Sequence, residues 1–392
     1  MYLKGIYFIN GENMKKKILI IYASYGSGHK TVANYLYDYF LSTNKYDVRI
    51  IDILDYENII GKISKKIFEQ NFKHKSSFIF TSIYNIFNFK TTTILYKEIA
   101  ESIVNNKRLK QDIVDFNPNL VITSHFFGIT NCTIYKKQKL INSKMISIIT
   151  DYASHEFWEK DIDHIDSLIV ANKIIKKGLI DKGIPKNKIY DYGIPISNKF
   201  NEVSNKEKIK KKYRINNNLK TIVFFAGGSI GSNFSYSYLK KLLEKNYECN
   251  IIFVSGHNNE LRNKCNKLII KNKYKNVRIT GFINRVNDLL SISDLVITKP
   301  GGLSVTECLE MKKPMALIPG NGGPEIYNAK YVCFNGYGTY CKTSKILSYK
   351  IGRILKNEKI LKDYNKRLNK LNKNNSLNKI YKLSTKLISK GE

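Results

Sequence analysis

Paired cysteines are missing from this chain of 392 residues. Its cysteines, Cys132, Cys249, Cys265, Cys308, Cys333 and Cys341, are scattered and show no Cys-x-x-Cys spacing. That excludes a disulfide framework or a thiolate zinc site and points to a reducing compartment. Long apolar runs are missing too. None approaches the roughly 20 residues needed to span a bilayer, and the segment from Met1 to Asn10 lacks the layout of a signal peptide. A cytoplasmic protein is expected. Acidic residues are scarce, 32 Asp and Glu against 66 Lys and Arg, which leaves a net charge of +34. Most of the excess is lysine, accompanied by abundant Asn and Ile, the composition that AT-rich codons impose on any surface. Arginine, which nucleic-acid readers use for bidentate contacts, is sparse, and no helix-turn-helix, RNP-type or zinc-finger pattern occurs. Nucleic acid is therefore not the expected partner. A membrane surface carrying anionic lipids is, since each lysine near it contributes on the order of 1 kcal/mol.

What is present is an alternation of apolar strands and helices, long enough for two α/β domains. Met14 and three lysines precede the first strand, so residues 1–13 read as an extension. Strands are predicted at 18–22, 48–53, 120–123, 145–150 and 167–171. A second series starts at Thr221-Ile-Val-Phe-Phe-Ala-Gly-Gly-Ser229 and continues at 251–255, 277–280, 295–298 and 315–318. The expected architecture is a pair of Rossmann-like doubly wound domains, residues 14–200 and 201–355, with a helical tail over 356–392. They should face each other across a cleft, with ligands at the carboxyl ends of their strands.

Two turns carry chemistry. In Asp294-Leu-Val-Ile-Thr-Lys-Pro-Gly-Gly-Leu-Ser-Val-Thr-Glu307 a short strand runs into Gly301 and Gly302, and a helix then opens with Glu307 expected on its first turn. Glycines let backbone approach an anion closely, and the free N–H groups and dipole of a helix start favour negative charge. The pattern reads as a site for a phosphorylated ligand. In Tyr22-Ala-Ser-Tyr-Gly-Ser-Gly-His29 the same strand, glycine turn and helix start present a histidine at the top of a sheet. With an unperturbed pKa of about 6.5 such an imidazole can serve as a general base. Between Gly61 and Asn106, rings such as Phe68, Phe72, Phe78, Phe80, Phe87 and Phe89 alternate with lysines, the composition of a membrane-interface surface. Asp161-Ile-Asp163 superficially resembles a metal-binding Asp-x-Asp, but no metal is expected.

Taken together, Tyr22–His29, Thr150-Asp-Tyr-Ala-Ser-His-Glu-Phe-Trp158, Gly193-Ile-Pro195, Gly281-Phe282, Lys299-Pro-Gly-Gly302 with Glu307, and the run from Pro319-Gly to Asn328-Ala329 form an ordered set that resembles the diacylglycerol glycosyltransferases. The resemblance implies a GT-B fold, a UDP-hexose donor, diacylglycerol as acceptor, inversion at the anomeric carbon, no metal or cofactor, and a peripheral place on the inner face of the cell membrane. It implies that His29 is the base, with Asp151 and His155 as second-line candidates. Gly26, Ser27, Gly28, His125 and Trp158 would form the acceptor loop. On the donor side it implies Glu307 for the ribose, Phe282 and Ile283 for the uracil, and Gly301, Gly302 and Ser304 for the diphosphate. Glu325 and Asn328 would face the sugar, with Gly228, Ser229 and Lys299 also lining the donor site. Pro324 departs from the pattern, standing where relatives carry Gln, which leaves the hexose open. The nearest rivals are an N-acetylglucosaminyltransferase acting on an undecaprenyl lipid, whose base loop usually reads Gly-Gly-Thr-Gly-Gly-His, and a UDP-sugar epimerase of the same fold. A non-enzymatic basic binding protein is the rival from another class, and it leaves both glycine turns unexplained.

Overall fold

The computed structural model describes residues 15–24, 27–56, 106–154, 156–159, 161–227, 233–320 and 323–390. The aromatic and lysine-rich segment, apart from Asn106, lies outside these residues, as do residues 1–13. Among the described residues two six-stranded sheets form, both parallel throughout. The first contains β1 (Lys16–Tyr22), β2 (Tyr46–Asp52), β3 (Leu120–Thr123), β4 (Lys144–Ile148), β5 (Ser167–Ile169) and β6 (Ile189–Tyr190), in the order β2-β1-β3-β4-β5-β6. The second contains β7 (Thr221–Phe225), β8 (Asn250–Val254), β9 (Val277–Thr280), β10 (Leu295–Thr298), β11 (Met315–Leu317) and β12 (Gly338–Tyr340), in the order β12-β11-β10-β7-β8-β9. β6 and β12, both short edge strands, carry too few apolar residues to stand out in the sequence.

The strands are apolar on both faces because helices cover both faces. Along β1, Leu19 and Ile21 enter a core with Ile113, Phe127 and Met145, while Ile18 and Ile20 enter another with Val32, Leu36 and Phe40 of the helix Ser27–Ser42. This second core also takes Leu377, Ile380 and Leu383 from the final helix, Ser376–Ser389. The tail is thus divided. The helix Glu358–Leu368 adds Leu361 to the second domain's core, and the chain then returns to finish the first. Asn374 fixes the return: its amide donates to the Ile194 carbonyl (2.9 Å), and its backbone N–H donates to Glu310 (2.7 Å).

Each sheet reverses strand order once, between β1 and β3 in the first and between β7 and β10 in the second. These reversals open crevices at the carboxyl ends of the strands. The crevices face one another because the loop 150–152 of the first domain is gripped by the second. Gly302 lies so close to the Thr150 carbonyl that a Cβ there would penetrate the oxygen, and it would also come within 3.0 Å of Asp151 Oδ1. Asn328, fully buried, accepts from Tyr152 N–H (2.7 Å) and donates to Asp151 Oδ1 (2.8 Å) and to the Pro300 carbonyl (2.9 Å). The Tyr152 hydroxyl donates to Thr306 Oγ1 (2.9 Å), which donates in turn to the Gly302 carbonyl (2.8 Å). The Tyr152 ring stacks on Tyr331 at 4.4 Å.

Gly302→Ala therefore tests the contact. Its clash lies between domains and is relieved by hinge opening rather than by unfolding. The expected outcome is a larger radius of gyration in small-angle scattering, with a loss of folding stability no greater than the roughly 1–3 kcal/mol of ordinary overpacking. Unchanged scattering would show that the domains do not close on this glycine.

Candidate active site

β1 and β3 end side by side, which brings the start of the helix Ser27–Ser42 against Ser124 and His125. His29 Nδ1 lies 2.6 Å from the Ser124 carbonyl and 3.1 Å from Thr150 Oγ1, while Ser124 Oγ donates to the His29 carbonyl (3.1 Å). A carbonyl only accepts, so Nδ1 carries the proton and Nε2 keeps its lone pair. Burial holds the imidazole well below its usual range, at about 4, and the Ser124 carbonyl opposes this only in part. The ring is neutral at physiological pH. His125 is almost fully buried and caps the helix Phe126–Lys137, its Nδ1 accepting from Phe127 N–H (3.3 Å). Its ring stands edge-on to His29 with centroids 4.8 Å apart.

On the opposite side the helix Gly302–Glu310 begins at Gly302 with no side chain capping it, so its first N–H groups stay available. Glu307 sits in the second turn rather than the first, because the helix starts at Gly302, and this depth buries it. Burial lifts its carboxyl to about 8, with the nearby Tyr35 hydroxyl opposing. Asp151, beside the uncapped helix start, is lifted by burial to about 6; the Asn328 amide opposes, the Glu325 charge adds and Lys299 opposes. Lys299 Nζ pairs with Glu325 Oε1 at 2.9 Å, below Gly301 and against Gly320.

Between the two sides lies a cavity of 220 Å³. The second domain lines it with Phe282, Ile283, Ser304 and Glu307, the residues expected for uracil, diphosphate and ribose. The first domain lines it with Ser27, Thr31 and Tyr35, one face of the helix at i, i+4, i+8. Phe282 is half exposed and stacks on His257, with centroids 4.1 Å apart and planes 16° apart.

Two expectations change. Asn328, expected to face the sugar, uses its carbonyl and both amide hydrogens within the interdomain contact. Trp158 is core, almost fully buried and edge-on to Phe126, and so supports the His125 loop from behind. Gly26, His155, Gly228 and Ser229 lie outside the described residues. Asp161 pairs with Lys137 at 3.5 Å. Ser124, Thr150, Thr31, Tyr35 and His257 escaped the sequence reading. Thr31 and Tyr35 had a signal, hydroxyl groups at helical spacing after the glycine turn, whereas Ser124 and Thr150 act through strand-end positions that only the sheet order brings to His29.

Residues 29–196 match the family model for monogalactosyldiacylglycerol (MGDG) synthase, and residues 222–387 match that for the glycosyltransferase family 28 C-terminal domain. A processive diacylglycerol beta-glucosyltransferase of Bacillus licheniformis is 27% identical over 369 residues, 93% of each chain. One from Staphylococcus epidermidis is 28% identical over 354 residues, 88% of this chain and 86% of that one. Among solved structures, MurG of Acinetobacter baumannii superposes with a TM-score of 0.62 at 13% identity over 95% of this chain and 99% of its own. The UDP-GlcNAc 2-epimerase of Neisseria meningitidis, bound to UDP-GlcNAc, gives 0.62 at 14% over 94% and 100%. These likenesses are to the fold, two parallel sheets of the GT-B type. The chain thus carries a segment matching MGDG synthase ahead of one matching the family 28 C-terminal domain, and it is similar over most of its length to processive diacylglycerol beta-glucosyltransferases.

Proposed function

We propose that this protein transfers a hexose from a UDP-sugar to the hydroxyl of diacylglycerol, with inversion and without a metal, at the inner face of the cell membrane. Glucose is the hexose favoured by the names of its relatives. The observation that carries the reading is the fixed tautomer of His29, whose Nε2 lone pair is left free on the helix that, through Ser27, Thr31 and Tyr35, lines one cavity with Ser304 and Glu307. In the proposed reaction Nε2 takes the proton of the lipid hydroxyl while its oxygen bonds to the anomeric carbon. The bond from that carbon to the UDP oxygen breaks, and UDP leaves with the electron pair. The N–H groups at the start of Gly302–Glu310 meet the growing charge on the diphosphate, and the Lys299 ammonium adds to them. Glu307 accepts from the ribose, and Phe282 with Ile283 hold the uracil.

A base with a pKa near 4 is a weak one, but the bound diphosphate is an anion and raises the imidazole's proton affinity when it is needed. Among the described residues no helix is long and apolar enough to cross a membrane, so a bilayer would be met from outside, and the lysine excess suits anionic headgroups. The direct test is incubation of purified protein with diacylglycerol vesicles and radiolabelled UDP-glucose, UDP-galactose or UDP-N-acetylglucosamine, followed by lipid chromatography. Label in a diacylglycerol glycolipid is expected. Label only from UDP-N-acetylglucosamine, and only with an undecaprenyl acceptor, would overturn the reading.

His29→Ala is expected to leave UDP affinity nearly intact and to lower kcat by roughly 10²–10⁴-fold. Turnover near that of the wild type would remove His29 from the chemistry. Because burial lowers the pKa of a base, the active neutral form persists as pH falls and is lost only near 4. The acid limb of kcat/KM, which reports free enzyme, should accordingly lie well below pH 6.5, and that of kcat, which reports the ternary complex, should lie above it. A kcat/KM limb at 6.5 would mean the ring is solvated in the working enzyme. Glu307→Ala should instead weaken UDP binding, by roughly 0.5–1.5 kcal/mol in calorimetry, through loss of the ribose's acceptor. Unchanged affinity would end the ribose assignment.

A further inference from the structure

Arginine is rare in this chain, eight residues among 66 basic ones, and its few copies are not spread evenly. Arg214, Arg278 and Arg285 line a single cavity of 540 Å³ in the second domain. Arg262 packs beside Gly281, between the lining residues Thr280 and Phe282. A codon bias that supplies lysine does not gather arginines in one place. The cavity lies between the helix Lys206–Tyr213, strand β9 and the turn that leads into the helix Val286–Ile292. Phe282, Ile283 and Asn284 line both this cavity and the donor cavity, so one loop is a wall of each.

The arginines differ in how they are held. Arg285 is neutralised by Asp288, with Nε at 2.9 Å, and by Glu202 at 3.5 Å. Arg278 is fixed by carbonyls instead. One of its terminal nitrogens donates to Lys275 (2.7 Å) and Val277 (2.9 Å), while its Nε is buried without a partner. Carbonyls hold a guanidinium in place without cancelling its charge. Among the described residues Arg214 and Lys212 form no ion pair, and the Lys212 ammonium lies 5.4 Å from the centre of the Tyr213 ring. Asp288 is the sole carboxylate in the lining, so the charges of Lys212, Arg214 and Arg278 remain. The rest of the wall is largely apolar, with Ile209, Ile279 and Leu289 beside the Tyr213 ring.

We propose that this cavity is a second ligand site, for a small soluble phosphate monoester. Guanidinium forks match pairs of phosphate oxygens, and a dianion suits an excess of three positive charges better than a carboxylate does. The apolar wall takes the uncharged body of the ester. The volume of 540 Å³ lies within the roughly 300–1,000 Å³ of small-molecule sites. The assignment does not rest on the donor reading. Its occupant meets Phe282 and Ile283 from a second side and leaves the donor cavity to the nucleotide.

The test is calorimetric titration of phenyl phosphate into the whole protein held at saturating UDP, so that the donor cavity is already filled. Binding is expected, and benzyl alcohol, which has the ring without the charge, should give none. Arg214→Gln should raise the Kd for phenyl phosphate roughly tenfold or more, through loss of a charged donor, and leave the Kd for UDP within about twofold. Arg278→Gln should act in the same direction. If that variant unfolds for want of a donor to two carbonyls, Arg214→Gln still decides. Equal affinity in wild type and a folded Arg214→Gln variant overturns the proposal. Binding of phenyl phosphate that vanishes once UDP is present overturns it too, because the ester then occupies the donor cavity. Failure of phenyl phosphate to bind, beside Arg214-dependent binding to phosphatidate vesicles, would make the ligand a lipid headgroup and overturn the soluble assignment. Protein that binds phenyl phosphate through Arg214 but binds no UDP would overturn the donor reading and leave this site standing.

Discussion

The arrangement depends on one missing carbon atom. Because Gly302 has no Cβ, the first turn of its helix comes into contact with the Thr150 carbonyl of the other domain. That approach places Asp151 and Tyr152 where Asn328, Thr306 and Tyr331 can hold them. Thr150 also touches His29, so the residue that meets the donor-side helix is the one that helps to orient the base. Closure and alignment of the imidazole are one event. The polar groups of the contact are paired across the boundary, which is what allows so much backbone to be buried there.

The cleft carries little charge, although the protein carries a net charge of +34. Burial moves His29 down and Asp151 and Glu307 up, each toward its neutral form. The Lys299–Glu325 pair cancels internally. A cleft of this kind has weak fields of its own, and the charges that decide its protonation arrive with an anionic ligand. The proton inventory of the protein alone and that of a nucleotide complex must therefore differ. Nucleotide binding is expected to be linked to proton exchange with solvent.

Much of this was legible in the sequence. Buried parallel strands are continuous apolar runs, and those of β1, β3, β8 and β10 are recognisable without any partner. The glycine turns after β1 and β10 announce close backbone approach, and what approaches Gly302 is the Thr150 carbonyl of the other domain. Local pattern does not reveal which far residue a polar side chain meets. Asn328 reads as a ligand contact because Asn suits one, yet it bonds to Tyr152, at a sequence separation of 176. Trp158 reads as a loop aromatic, and only the packing of Phe126 beside it shows it to be core. The destination of the last helix is equally hidden, since an amphipathic helix does not name the sheet that it covers.

The helix Ser376–Ser389 covers Ile18, Ile20, Ile122 and Ile146 in the first sheet. During synthesis, at about 5–20 residues per second, it emerges roughly 10–40 s after β6. Through that interval one face of the first sheet lacks its last covering helix, while the whole of the second domain is made and emerges. The domain made first is thus the domain finished last. That incompletely covered face, rather than the cleft, is where a chaperone would be needed, and a nascent chain stalled anywhere before residue 376 leaves its isoleucines with only part of their cover.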